Sequence, residues 1–157
     1  MARRVPMDLG PHSKTDARTQ FAALCYRSRN ESLKLLLVTS RRLRRWVLPK
    51  GWHVDGLTPA ETAMREAFEE AGVSGFIEER CIGHYSYRKV LSGNFSIPCI
   101  VAVFPVEVKV LKDSFPENGQ RHRKWFTRKK AAAAVSENEL KKIILNFNPN
   151  HFEGSRK

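Results

Sequence analysis

The chain has 157 residues, 41% of them hydrophobic, which is the size of one domain able to bury a core without disulfide support. No stretch of about 18 apolar residues occurs and no apolar run of signal-peptide length follows Arg3 and Arg4, so a membrane-spanning helix is excluded and a soluble cytoplasmic protein is expected. The formal charge of +12 is concentrated in two acid-free windows, residues 41–50 and 121–130, which together carry +11; such focusing suits a polyphosphate, a nucleic acid or an acidic membrane, unless it is only a solvated basic face.

Residues 1–17, with Pro6, Gly10, Pro11 and Ser13, read as a flexible arm, residues 18–147 as one domain and residues 148–157 as a frayed tail. Thr19–Arg27 and Leu33–Ser40 are strand-length apolar runs separated by a polar stretch, 28–32, that predicts a hairpin turn. Trp46-Val47-Leu48 predicts a short third strand closed by Pro49, and Gly51 and Gly56 bracket a loop. A helix opens at Thr58-Pro59-Ala60-Glu61, where Thr58 caps, Glu61 reciprocates and Pro59 takes the first helical position. Gly72 is placed to end that helix in the left-handed conformation.

Downstream, Arg80–Val90 and Phe95–Val110 are rich in β-branched and aromatic residues around a second hairpin signal, Leu91-Ser92-Gly93-Asn94. After Trp125-Phe126, residues 128–135 and 137–147 carry helical periodicity, the second with Leu140, Ile143, Ile144 and Phe147 on one face. Strands, helix, strands, helix is the order of an α/β domain with a mixed sheet and helices packed against it. The three cysteines, Cys25, Cys81 and Cys99, lie in apolar or β-like runs without metal-ligand spacing and read as buried thiols in a reducing compartment.

The chemistry concentrates on the 58–72 helix. Glu66, Glu69 and Glu70 stand at i, i+3 and i+4 and share one face, while Ala60, Ala63, Met64, Ala67, Phe68 and Ala71 take another, so three carboxylates are expected to project together into solvent or a cleft. Like charges on adjacent turns repel by a few tenths of a kcal/mol per pair, and a divalent cation would remove that penalty. Oxygen-only ligands suit Mg²⁺ or Mn²⁺. On spacing alone an acidic outer face of an ordinary amphipathic helix remains the alternative.

Gly51 stands fourteen residues before Arg65, and Arg65-Glu66-x-x-Glu69-Glu70-x-Gly72-Val73 follows without interruption. This resembles the Nudix box, G-x5-E-x7-R-E-U-x-E-E-x-G-U, with U a bulky apolar residue. Leu57 replaces the first glutamate of the pattern and Ala67 the first U. The resemblance implies a Nudix-type α/β/α sandwich, with a central mixed sheet and the catalytic helix packed against it. It also implies Mg²⁺-dependent hydrolysis of a nucleoside diphosphate derivative or comparable pyrophosphate, with Glu66, Glu69, Glu70 and the Gly51 carbonyl holding the ions and Glu69 or Glu70 as general base. In the family the first glutamate holds the arginine and braces the loop. Glu61, four residues before Arg65, is the expected substitute. Glu117 is a candidate further glutamate from outside the box.

Two flanking stretches, Thr39-Ser40-Arg41 through Arg45-Trp46-Val47-Leu48-Pro49-Lys50-Gly51 and Arg121-His122-Arg123-Lys124-Trp125-Phe126, resemble those of diphosphoinositol polyphosphate phosphohydrolases, a branch that also cleaves diadenosine polyphosphates. A highly phosphorylated substrate needs several cations at short range, and arginine grips phosphate oxygens bidentately. Arg41 and Arg45, then Lys50, Arg121 and Arg123, are the expected substrate cations. Trp46 and Trp125 read as core or cleft-wall residues, and His53 as a solvent-facing loop residue. The alternatives are a nucleotide sugar or an RNA 5′ end as substrate, and a non-catalytic nucleotide-sensing or nucleic-acid-binding module, which would be expected to lose box glutamates. No oligomeric state is implied.

Overall fold

A computed structural model describes residues 18–153. Strand β1 (Arg18–Arg29) and strand β2 (Ser32–Thr39) form an antiparallel hairpin with Cys25 opposite Leu36. Its two turn residues, Asn30 and Glu31, both have positive φ, at 50° and 65°, the backbone hand that matches the twist of the flanking strands. β3 (Trp46–Val47) pairs with β2, and β4 (Lys50–Trp52) pairs with the start of β1, setting Gly51 opposite Phe21.

Helix α1 (Pro59–Ala71) leads into β5 (Val73–Ile77), and β6 (Gly83–Ser92) turns through Gly93-Asn94 into the long β7 (Phe95–Leu111). β7 lies parallel to β1 and antiparallel to β5 and β6, while β8 (Arg123–Thr127) returns to pair with β2. The sheet is therefore mixed, as expected. Three of its strands, β4, β5 and β8, are absent from the sequence expectation, each being five residues or fewer and so too short for a clear alternating pattern.

Alternation along the strands divides the core in two. Phe21, Ala23, Cys25, Leu36 and Val38 face α1, whose Ala60, Ala63, Ala67 and Ala71 let its backbone approach the sheet closely. Ala22, Leu24, Tyr26, Leu35 and Leu37 face the opposite way, onto α2 (Arg128–Ala134) and α3 (Asn138–Asn146) through Ala131, Leu140, Ile144 and Phe147. At roughly 25 cal/mol per Å² of apolar surface removed from water, these two layers are the main stabilising term. The described residues thus form an α/β/α sandwich, with α1 on one face and α2 and α3 on the other.

The capping signals hold. Thr58 Oγ1 accepts from Glu61 N at 3.1 Å and Glu61 Oε1 accepts from Thr58 N at 2.8 Å, with Pro59 in the first turn. Gly72 closes the helix at φ 70°. Two expectations need correction. Residues 150–153 form a short helix, α4 (Asn150–Glu153), where a frayed tail was expected, because Phe152 stacks on the buried Phe147 at 6.3 Å. Cys81 is exposed, unlike Cys25 and Cys99, since it sits in the connection before β6. The expected 1–17 arm lies outside the described residues. Among the described residues no helix is long and apolar enough to cross a membrane.

Candidate active site

The carboxylates of α1, expected to project together into solvent or a cleft, are divided: Glu70 opens onto a cleft while Glu66 packs against Gly51 of β4. Glu66 is fully buried and Glu70 only 5% exposed, while Glu69 is half-buried. The helical wheel explains the burial: positions 63, 66, 67 and 70 are spaced i, i+3, i+4 and i+7, so Glu66 and Glu70 extend the same stripe that Ala63 and Ala67 press on the sheet.

Gly51 receives the first of them. A Cβ built on Gly51 would lie 2.5 Å from both Cδ and Oε1 of Glu66, so only a glycine lets β4 and this carboxyl share the space. The Glu70 carboxyl is pushed well above the ordinary carboxylate range by burial, an effect Arg121 opposes and the neighbouring Glu66 reinforces. A buried acid pair of this kind either holds a proton between its members or takes up a cation.

Among the described residues no three His, Cys, Asp or Glu side chains converge closely enough to cage a metal by themselves. The groups present nevertheless fit a hard divalent ion of the Mg²⁺ type, which binds through one or two carboxylates and retains waters for a substrate phosphate to displace. The donors are all oxygen, and the close approach of Gly51 leaves the Glu66 carboxyl room that any other residue at position 51 would fill.

Glu70 opens onto a cleft of about 340 Å³. Arg41, Arg42, Arg45, Lys50, Arg88, Lys89 and Arg121 line it, against two carboxylates, Glu70 and Glu137. Four of the five expected substrate cations therefore meet there. Arg41 and Arg45 are exposed at the rim, where a tight loop is fixed by Ser40 and Arg45 exchanging bonds: Ser40 N donates to Arg45 O at 2.8 Å and Arg45 N to Ser40 Oγ at 3.0 Å. Lys50 reaches inward, with its Nζ 4.9 Å from the centre of the Tyr87 ring. Burial lowers the Lys50 pKa, while the nearby Glu70 charge works to raise it.

The fifth cation is placed elsewhere. Arg123 Nη1 donates to Ala71 O at 2.7 Å and to Lys112 O at 2.6 Å, and its Nη2 reaches Asp113 at 3.3 Å. It closes the C-terminal end of α1 instead of lining the cleft, a favourable position for a cation because unpaired carbonyls concentrate there. Arg121 does line the cleft, but its guanidinium is committed to protein: Nε to Glu117 at 2.9 Å, Nη1 to Thr39 O at 3.1 Å and, more loosely, to Glu70 at 3.8 Å. Glu117 is thus paired with Arg121, and its backbone N donates to Glu69 O at 2.9 Å.

The loop of the box is braced differently from the expectation. No ion pair joins Glu61 to Arg65 among the described residues, because the Glu61 carboxylate is occupied by the cap. His53, expected to face solvent, is half-buried; its Nε2 stands 3.0 Å from the carbonyl of Leu57 and its ring meets Phe21 edge-on at 6.1 Å. Trp46 packs edge-on against Phe126 at 4.9 Å and Trp125 lies under Arg27 at 4.2 Å, each packed at the edge of a core layer and not lining the cleft. Arg88, Lys89 and Glu137 escaped the sequence reading. A signal existed for Lys89 in the period-two series Tyr85, Tyr87, Lys89, which runs along one side of β6 from the buried core to the cleft rim.

Comparison with known proteins identifies the family and the fold. The NUDIX domain family matches residues 18–147. Nudix hydrolase 13, mitochondrial, of Arabidopsis thaliana is 35% identical over 104 residues, covering 63% of this chain and 52% of that protein. The diphosphoinositol polyphosphate phosphohydrolase 3-beta of Bos taurus is 42% identical over 68 residues, covering 43% of this chain and 41% of the relative. The chain thus spans about half the length of the curated relatives it matches. Among solved structures, the binary complex of a C. elegans Ap4A hydrolase shares the fold, with a TM-score of 0.61, 19% identity, and coverage of 87% of this chain and 98% of that one.

Proposed function

Since the chain belongs to the Nudix family, we propose that it hydrolyses a phosphoanhydride bond in a highly phosphorylated small molecule, a diphosphoinositol polyphosphate or a diadenosine polyphosphate, with Mg²⁺ (or Mn²⁺) as cofactor. The observation that carries this reading is that Glu70, one helical turn from the buried Glu66, lines the same cleft as seven basic side chains. The names of two similar proteins, a diphosphoinositol polyphosphate phosphohydrolase and an Ap4A hydrolase, agree with it.

In this proposal Glu66, Glu69 and Glu70, with the Gly51 carbonyl, hold the metal. When bound, such an ion neutralises phosphate oxygens and acidifies a coordinated water for in-line attack on phosphorus. The chain's own residues do the rest. Glu69 or Glu70 accepts the proton of the attacking water, and Arg41, Arg45 and Lys50, joined by Lys89 and Arg88, bind phosphates away from the scissile bond. Arg65 and Gly72 serve the helix and its loop and touch no substrate. The experiment is product analysis with inositol pyrophosphates, diadenosine polyphosphates, nucleotide sugars and capped RNA, each with and without Mg²⁺. Turnover of the first two classes well above the others is expected. Preference for a nucleotide sugar or capped RNA would assign the same chemistry to a different substrate, and no Mg²⁺-dependent turnover of any would reject the enzymatic reading.

A further inference from the structure

Arg121 is the most heavily engaged cation of the cleft. Its side chain is 11% exposed, and it stands between two carboxylates, Glu70 at 3.8 Å and Glu117 at 2.9 Å. It is also tied to the end of β2, both through its own bond to Thr39 O and through His122 N, which donates to Thr39 Oγ1 at 2.9 Å. A guanidinium held from three sides cannot follow a substrate. It can, however, act on the buried acids in front of it, because charge interactions in a poorly solvated site are screened far less than at the surface.

We propose that Arg121 is the resident counter-cation of Glu70, that it competes with the divalent ion for that carboxylate, and that Glu117 tunes this competition by sharing the guanidinium. The inference rests on the proposed metal role of Glu66, Glu69 and Glu70. Its physical content is a sign. A positive charge fixed beside the site lowers the affinity for a second cation while making the metal-free protein more stable, and a carboxylate that draws on that charge partly restores the affinity.

Three things follow for how the site works. The buried acids are partly neutralised before metal arrives, so the fold does not depend on metal for its integrity. Metal affinity is held below what the carboxylates alone would give, which leaves the ion dependent on substrate phosphates for its remaining ligands. The segment between Lys112 and Gln120, anchored on α1 by the bond from Glu117 N to Glu69 O, becomes part of the metal site although it contributes no ligand. Arg121 and Glu117 are on this view positioning residues, acting through Glu70.

The test measures Mn²⁺ binding to substrate-free protein by electron paramagnetic resonance, together with melting temperatures with and without Mn²⁺. Arg121→Gln should bind Mn²⁺ about tenfold more tightly than the wild type, as expected for one unit charge removed a few ångströms from a site of low effective dielectric, and should melt lower without metal. Glu117→Gln should bind it several-fold more weakly. Opposite shifts are the signature, since simple damage to the site would weaken both variants. Binding that is unchanged or weaker in Arg121→Gln would overturn the proposal, and if that variant does not fold, unchanged binding by Glu117→Gln would do so. A Glu66→Gln, Glu70→Gln double variant separates the two levels: if it binds Mn²⁺ as well as the wild type, the metal reading fails and this inference with it. If it loses Mn²⁺ while the two charge variants bind like the wild type, only the counter-cation role fails.

Discussion

Gly51 and Glu66 are fitted to one another so closely that a methyl group on residue 51 would stand 2.5 Å from the Glu66 carboxyl carbon. Such a contact is well inside van der Waals range, so Gly51→Ala must displace either β4 or the glutamate. Overpacking of this kind costs about 1–3 kcal/mol. For a domain of this size each kcal/mol lowers the melting temperature by roughly 2–4 °C. Displacement of a metal-holding carboxylate would also raise the Mg²⁺ concentration needed for half-maximal activity. Melting curves and a Mg²⁺ titration of the variant check both; wild-type behaviour in each would show that the glycine is not required there.

Glu69 and Glu70 divide the remaining chemistry. Each of Glu69→Gln and Glu70→Gln is expected to lower kcat by about 10²-fold or more, the effect of losing a positioned base or a charge stabiliser. Both variants should remain folded, because glutamine keeps the side-chain volume and relieves like-charge repulsion on the helix. Circular dichroism and steady-state kinetics are sufficient, and near wild-type turnover in both would remove these residues from the mechanism.

How far the sequence could be read depended on whether the determinant was local. The hairpin of β1 and β2, the cap formed by Thr58 and Glu61, and the left-handed Gly72 depend on neighbours within a few residues and are where the sequence placed them. The sequence sets Glu66, Glu69 and Glu70 on one face and the alanines on another, but the angular positions of Glu66 and Glu70 overlap those of Ala63 and Ala67, and both carboxylates are buried. Arg123 was misassigned for another reason. Its charge was legible, but its destination depends on the segment from Lys112 to Gln120 bringing two further acceptors to the end of α1. Lys89 and Glu137 join the cleft only through the pairing of β6 with β7 and the docking of α3, contacts that no local pattern encodes.

The basic residues should accordingly separate into two classes. Arg41→Ala removes a rim contact to phosphates remote from the reacting bond, so KM for a diphosphoinositol or long diadenosine polyphosphate should rise about tenfold with little change in kcat, as for one charge-assisted contact of ~1.5 kcal/mol. Arg123→Ala should instead leave KM nearly unchanged and reduce stability by about 1.5–3 kcal/mol, since it strips hydrogen bonds to a charged group from Ala71 O and Lys112 O. Kinetics and denaturant unfolding measured on both variants decide this. A large KM effect from Arg123→Ala with no loss of stability would return that residue to the substrate site.

The loop at Leu57 is braced by His53, whose Nε2 meets the Leu57 carbonyl at 3.0 Å while its ring packs on Phe21. The carbonyl has no proton to offer, so in this hydrogen bond Nε2 carries the proton and donates it. His53→Ala loses both the bond and the ring contact, for an expected cost of about 1–2 kcal/mol. Amide exchange should quicken over residues 53–58 without spreading along α1, because the helix start is held separately by Thr58 and Glu61. Leu57→Ala keeps the carbonyl and should leave that exchange pattern close to wild type. Hydrogen exchange read by mass spectrometry on the two variants tests the assignment directly: equal loosening in both would place the brace in the Leu57 side chain, not in its backbone.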